Sequence, residues 1–432
     1  MTRLLSASWL GVVLGAVTLG TAAAASGQEK PILDNVRRIV FLGDSITYGG
    51  TYIAYIEAYL ATRLPERQFE LVNLGLPSET VSGLSEPGHA GGQFPRPCLH
   101  ERLDRVLAKT KPDLVVACYG MNDGIYYPFG EDRFRKFQEG IVRLADRVAA
   151  AKAALVLVTP PTFDPVPLGG RTLPLGKDEY RQPYEGYDDV LGRYADWLLE
   201  KRKAGWQVAH LHGPMAAHLA IRRRQTPAYC LAGDGVHAGA VGHWLMAQQV
   251  LLAWGAPAEV DAAVIDAKAM KAARGRVTDL AAEGGAVGFT WLTRRPMPMD
   301  PQWDAECLRL ERITERLNRH RLVVTGLAAE RYDLLENSSP VGTLTRGELA
   351  AGVDLTRLSK LSTNRSGAEL LKRIVDRQRM LTDAWLTDVG HRRPGMAKGL
   401  PLDKALKQAA EMDPAIRQLA APVPLKLRLV PA

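Results

Sequence analysis

Four cysteines stand among 432 residues, and no two of them form a Cys-x-x-Cys pair. No His-Glu-x-x-His pattern occurs, so the sequence offers no zinc site and implies no metal or other cofactor. The Gly-x-x-x-x-Gly-Lys-Ser/Thr phosphate loop is missing, as is a Gly-x-Gly-x-x-Gly after a strand. Gly-x-Ser-x-Gly, the nucleophile elbow of one large enzyme class, is absent too. Tight basic clusters include Arg222-Arg223-Arg224 and His391-Arg392-Arg393. Neither is interleaved with aromatics, so nucleic-acid binding has no support. No internal repeat is visible.

What is there is ordinary globular material. Hydrophobic residues make up 46% and charged residues 24%. A chain of 432 residues exceeds one compact core and implies two domains. Its start reads as an export signal over residues 1–25. Arg3 supplies the positive end, Leu4 to Leu19 is apolar apart from Ser6, Ser8 and Thr18, and Ala22 to Ala25 offers small-residue cleavage sites. Glycine, serine and threonine make this stretch a poor membrane anchor, and no basic stop-transfer run follows. Loss of Arg3 lowers the net charge from +8 by one. The expected location is periplasmic or secreted. Export permits disulfides among Cys98, Cys118, Cys230 and Cys307, but a chain of this size does not need them. Cys118 lies inside an expected strand and reads as a packed thiol.

Apolar, β-rich runs alternate with helical patterns. Strands are expected at Arg38–Gly43, Phe69–Gly75, Asp113–Gly120, Ala154–Pro160 and Gln207–His212. Helices are expected near Tyr52–Leu64, Leu99–Lys109, Glu131–Ala151, Tyr187–Lys203 and Ala240–Leu252. In the first of these helices, Ile53, Ile56, Leu60 and Leu64 make one apolar face. Such alternation implies a parallel sheet with helices on both sides, and right-handed crossovers bring every strand C-terminus to one rim.

Three short motifs end strands on that rim, Gly43-Asp44-Ser45-Ile46, Asn73-Leu74-Gly75 and Gly120-Met121-Asn122-Asp123, and a fourth, Asp234-Gly235-Val236-His237, follows them in chain order. A serine hydroxyl needs a base to take its proton as it attacks a carbonyl. Neutral imidazole suits that task, and an aspartate on the other ring nitrogen holds the tautomer. His237 and Asp234, three residues apart around Gly235, fit this pairing; His212, at the end of an expected rim strand, is the best rival base. Asp-Gly before a helix is also a common Asx-turn, Asp44-Ser45 a good N-cap, and Asn122 a turn former.

Together the motifs resemble the SGNH (GDSL) hydrolases, a family of serine esterases and acyl hydrolases. The likeness covers about residues 36–255, with Ile46 where the family name has leucine. It implies a three-layer α/β/α flavodoxin-like sheet of order 2-1-3-4-5 and no cofactor. It implies Ser45 as nucleophile with His237 and Asp234 as its partners. The N–H groups of Ser45 and Gly75 and the Asn122 amide would form the oxyanion hole. Asp44, Asn73 and Asp123 would support those loops. The expected substrate is an O-acyl ester, short-chain or acetyl, on an acylated polysaccharide. A lysophospholipase-like enzyme or a non-catalytic glycan-binding module on the same fold are the alternatives.

After residue 262 the alternation stops. Residues 276–432 read as a smaller α+β region, with strands at Val287–Trp291, Arg321–Val324, Arg331–Leu335 and Leu425–Leu429. Helices are expected at Trp303–Arg319 and Glu369–Trp385, and a short one after Asp403. A capping box opens at Thr345. A lid, a carbohydrate-binding attachment and a dimerisation surface all fit this region. Trp291, Trp303 and Trp385 read as buried anchors.

Overall fold

The chain from Arg38 to Gly43 (β1) is buried on both faces, with Ile39, Val40, Phe41 and Leu42 wholly shielded from water. Continuous apolar strands of this kind belong in the middle of a parallel sheet. A computed structural model describes residues 32–390, 394 and 398–432, so the expected export signal and His391-Arg392-Arg393 lie outside the described residues. It contains α1 (Ser45–Gly49), α2 (Thr51–Arg63), β2 (Glu70–Gly75), α3 (Leu103–Thr110), β3 (Leu114–Cys118), α4 (Glu131–Ala150), β4 (Ala154–Val158), α5 (Tyr187–Glu200), β5 (Gln207–Ala209), α6 (His212–Gln225) and α7 (Ala240–Ala253). The five strands pair in parallel in the order β2-β1-β3-β4-β5. Register aligns Gly43 with Gly75 and Cys118, Cys118 with Val158, and Val158 with Ala209, so all five strands end level.

The order reverses at β1. The crossover through α2 runs one way, and those through α3, α4 and α5 run the other. With right-handed crossovers they occupy opposite faces. α4 shows how sequence makes such a helix. Phe137, Ile141, Leu144 and Val148 form one buried stripe, and Glu131 and Asp132 sit in the first turn, where the helix dipole favours acids.

α2 departs from the amphipathic expectation. Tyr52 through Leu60 are all buried, as are Thr62 and Arg63. The cause is a second layer built by the rest of the chain. Tyr55 donates to Asp300 at 2.6 Å, and the Arg63 guanidinium donates to the Leu317 carbonyl at 2.7 Å. Trp303 packs on Trp244 of α7 and on Tyr55 of α2, with ring centres 4.5 and 5.0 Å apart.

That second half begins at β6 (Glu259–Asp266), ahead of the boundary at residue 276 expected from sequence. It continues with β7 (Lys271–Arg274), β8 (Arg276–Glu283), β9 (Ala286–Thr293), α8 (Ala305–Glu311), α9 (Ile313–Leu317), β10 (Arg319–Thr325), β11 (Arg331–Glu336), β12 (Ser339–Thr345), α10 (Arg346–Ala351), β13 (Val353–Asp354), α11 (Ser362–Arg365), α12 (Gly367–Val389), α13 (Leu402–Ala420) and β14 (Val423–Pro431). One sheet has the order β13-β10-β6-β7 and the other β12-β11-β14-β9-β8. They share a core of their own around Trp291, Leu322, Val324, Leu334 and Leu427. The Thr345 capping box is present at the start of α10. The expected helix over Trp303–Arg319 is interrupted at Arg312, whose φ is +49°. Trp291, Trp303 and Trp385 are all buried. α12 lies along β2, where Gln378 donates to the Leu71 carbonyl, and it reaches α1, where Tyr48 donates to Asp383 at 2.9 Å. All four cysteines are free thiols. Among the described residues no helix is long and apolar enough to cross a membrane.

Candidate active site

Ser45 opens α1 directly after β1. Asp44 caps that helix, its Oδ1 accepting the Ile46 N–H at 2.9 Å. Two strand-ending glycines let the short helix settle on the rim. A Cβ on Gly75 would lie 2.2 Å from the Tyr48 nitrogen, and one on Gly43 would lie 2.2 Å from the Thr47 hydroxyl. Asn73 then ties β2 to the helix, donating to the Thr47 carbonyl at 2.8 Å. Burial pushes the Asp44 carboxyl up to about 7, against the pull of its Ile46 hydrogen bond.

His237 reaches the same rim from the loop before α7. Its Nε2 is 2.7 Å from Ser45 Oγ, and its Nδ1 is 2.6 Å from Asp234 Oδ2. Oδ1 of Asp234 accepts the N–H groups of Val236 and His237 at 3.0 and 2.8 Å, forming the Asx-turn. The turn and the imidazole contact are therefore one device, and the two readings of this motif coincide. Partial burial opposes the charge on Asp234, yet the hydrogen bonds from His237 and Val236 outweigh it and hold the carboxyl below its usual range. Gly235 has φ +77°, and a Cβ there would sit 2.3 Å from the Asp164 carbonyl oxygen. Asp164 is buried and receives both Nη2 contacts from Arg223 at 2.7 and 2.6 Å, which anchors the loop beneath.

His212, the rival base, and His243, inside α7, sit in other contacts. β5 stops at Ala209, so His212 begins α6 instead of ending a strand, and its Nε2 is 3.2 Å from Asp188. His243 is stacked on Tyr52, and burial lowers it to about 4.

The expected oxyanion donors divide. Asn122 is on the rim, nearly buried. Its Nδ2 makes one hydrogen bond, to the Glu79 carbonyl at 3.2 Å, leaving its second N–H available. Asp123 locks the neighbouring loop, accepting from Gly120, Val81 and Ser82 between 2.8 and 2.9 Å. Gly75 is different. Its N–H donates to Asn73 Oδ1 at 2.9 Å, and its missing side chain makes room for α1. Three residues further along the rim, Ser78 has φ +67°, an uncommon conformation for a residue with a side chain. The N–H groups of Ser78 and Ser45 have no acceptor among the described residues. The turn is pinned by Glu79, whose carboxylate pairs with buried Arg102 at 2.6 and 2.7 Å and accepts from Tyr119 at 2.6 Å. Sequence reasoning passed over Ser78, Glu79 and Arg102. The signal in Pro77-Ser78 was a turn dipeptide just past a strand end.

Among the described residues no cluster of three or more His, Cys, Asp or Glu could hold a metal. The fold is a five-stranded parallel α/β sheet with Ser45, His237 and Asp234 joined at its rim. Residues 41–245 match the model of the GDSL-like lipase/acylhydrolase family, so this stretch carries a domain of that kind. It is an ester-hydrolysing enzyme. No curated protein matches it by sequence. Over almost its whole length it is similar in structure to a gut microbial diltiazem-metabolizing enzyme. That likeness is 21% identical, covers 92% of this chain and 98% of that one, and has a TM-score of 0.73. It shows that both halves form a shared fold. An acetylxylan esterase from Geobacillus stearothermophilus is 21% identical, with 51% of this chain and 95% of that one covered and a TM-score of 0.37.

Proposed function

We propose that the protein is an exported serine esterase that removes short O-acyl groups, acetyl foremost, from carbohydrate. The observation that carries this reading is the contact of His237 Nε2 with Ser45 Oγ at 2.7 Å, backed by Asp234 on Nδ1 at 2.6 Å. Ser45 Oγ attacks the acyl carbonyl while His237 takes its proton. The tetrahedral oxyanion is held by the N–H groups of Ser45 and Ser78 and by the Asn122 amide. Ser78 replaces Gly75 in this role because the Gly75 N–H is already committed to Asn73. The intermediate expels the sugar alkoxide, which takes the proton from imidazolium, and leaves acyl-Ser45. Water, deprotonated by His237, then releases the acid.

Side chains of His237 and Asp234 are about half exposed, at 52% and 55%. So open a site admits a bulky polar carrier behind a small acyl group. Covalent labelling by a fluorophosphonate, read by intact mass, tests the nucleophile. One adduct is expected on the wild type and none on Ser45→Ala, with both proteins folded. An unlabelled, folded wild type would favour a glycan-binding module. Rates on acetyl to palmitoyl esters, acetylated xylan and diltiazem then set the substrate class. A rate maximum on long acyl chains would favour the lysophospholipase-like alternative.

A further inference from the structure

Arg96 arrives from the loop between β2 and α3 and is nine-tenths buried. Its Nε and Nη2 clamp the Glu86 carboxylate at 2.6 and 2.7 Å. Its remaining arm, Nη1, donates to Asn122 Oδ1 at 2.9 Å. Its guanidinium also lies over the Tyr126 ring, 5.5 Å from the centroid, and Tyr126 donates to the same Oδ1 at 3.3 Å. Every hydrogen-bonding atom of a guanidinium is a donor. The carboxamide of Asn122 can therefore face Arg96 only with its oxygen, and its NH2 group must point the other way. The acceptor found there, the Glu79 carbonyl, agrees with this orientation.

We propose that Arg96 is a positioning residue for ester hydrolysis, acting through Asn122. It holds the carboxamide in the one flip that aims an N–H at the developing oxyanion. A cation on Oδ1 also draws electron density from the amide nitrogen, making that N–H a stronger donor. Glu86 fixes the guanidinium without competing for Asn122. Pairing with Glu86 also removes Arg96 from direct duty toward an anionic substrate. Its charge is felt at Asp44, beside the nucleophile, where it favours the carboxylate.

This inference rests on the reading of Asn122 as an oxyanion donor. The test is a double-mutant cycle with Arg96→Gln and Asn122→Ala, measuring kcat and KM on p-nitrophenyl acetate, with melting temperature as the folding control. Arg96→Gln is expected to lower kcat about 10- to 100-fold and leave KM within about twofold. Arg96→Lys should restore part of the rate. In the Asn122→Ala background, Arg96→Gln should cost less than about twofold more, because the group it acts through is gone. Equal losses in both backgrounds, or a change confined to KM, would overturn the proposal. Wild-type rates in Asn122→Ala would instead remove the reading of Asn122 itself. Should Arg96→Gln not fold, Glu86→Gln leaves the cation but loosens its clamp. It is expected to lower kcat by a smaller factor with KM unchanged, and an unchanged kcat would count against the proposal.

Discussion

Replacing Asp234 by asparagine keeps the shape of the site and inverts one proton. The Oδ1 atom would still accept the N–H groups of Val236 and His237, now at 3.0 and 2.8 Å. The new NH2 group would then face His237 Nδ1 and force the ring proton to Nε2. The Ser45 hydroxyl, 2.7 Å away, would lose its acceptor. Turning the amide over restores the tautomer but breaks both backbone hydrogen bonds, at about 1 kcal/mol each. The imidazolium also loses its carboxylate, an interaction worth about 1–2 kcal/mol once solvent screening of a half-exposed pair is allowed for. The barrier should rise by about 3–4 kcal/mol, which is about 10²- to 10³-fold in rate. A fully buried triad loses about 10⁴-fold on the same change, so exposure decides the smaller figure. The assay is kcat/KM on p-nitrophenyl acetate, with thermal melting showing an intact fold. Activity of Asp234→Asn within about threefold of wild type would refute the argument.

Three further outcomes follow from the geometry. Asp44→Asn should be more stable than wild type at pH 8 by up to roughly 4 kcal/mol, because burial pushes the native carboxyl up to about 7 from its usual 3.8. The native state holds that proton longer than the unfolded chain, so wild-type stability falls as pH rises through this window. Denaturant titration should show the Asp44→Asn advantage vanishing near pH 4, and an advantage independent of pH would sink the assignment. Gly75→Ala drives a methyl into the backbone of α1, 2.2 Å from the Tyr48 nitrogen, and should destabilise by about 3 kcal/mol or more on chemical unfolding. Gly235→Ala strains a turn at φ +77° against the Asp164 carbonyl and displaces His237; kcat should drop about tenfold or more, with a much smaller loss of melting temperature.

The sheet was readable because its signals are local. β1 ends where its apolar run meets Gly43, and strand-helix alternation with right-handed crossovers is enough to gather Ser45, Gly75 and Asn122 on one rim. Readings that depend on tertiary partners went astray. α2 looked one-sided because nothing in its own residues announces Asp300, Leu317 or Gln378 on the outer side. α6 was overlooked, and its arginines were read only as a basic cluster. Arg222 and Arg223 are instead spent on Asp304 and Asp164. The family resemblance implied Gly75 as a donor, at a backbone open to close approach. The approach is real, but its partner is α1 and not a substrate. Glu79 and Arg102 lie far apart in the chain, and no pattern short of the fold joins them.

The hydrolase half of this chain is packed against the rest. A truncation after α7 would strip α12 from β2 and leave that strand's outward amides and carbonyls open to pairing with another molecule. It would also take the partners of Tyr55 and Tyr59 of α2 and orphan the Arg63 guanidinium, which is 2% exposed in the intact chain. Shortened versions should therefore be recovered as aggregates, whatever the state of their chemistry. The tail has become a structural part of the enzyme, and its loss would be read first in solubility.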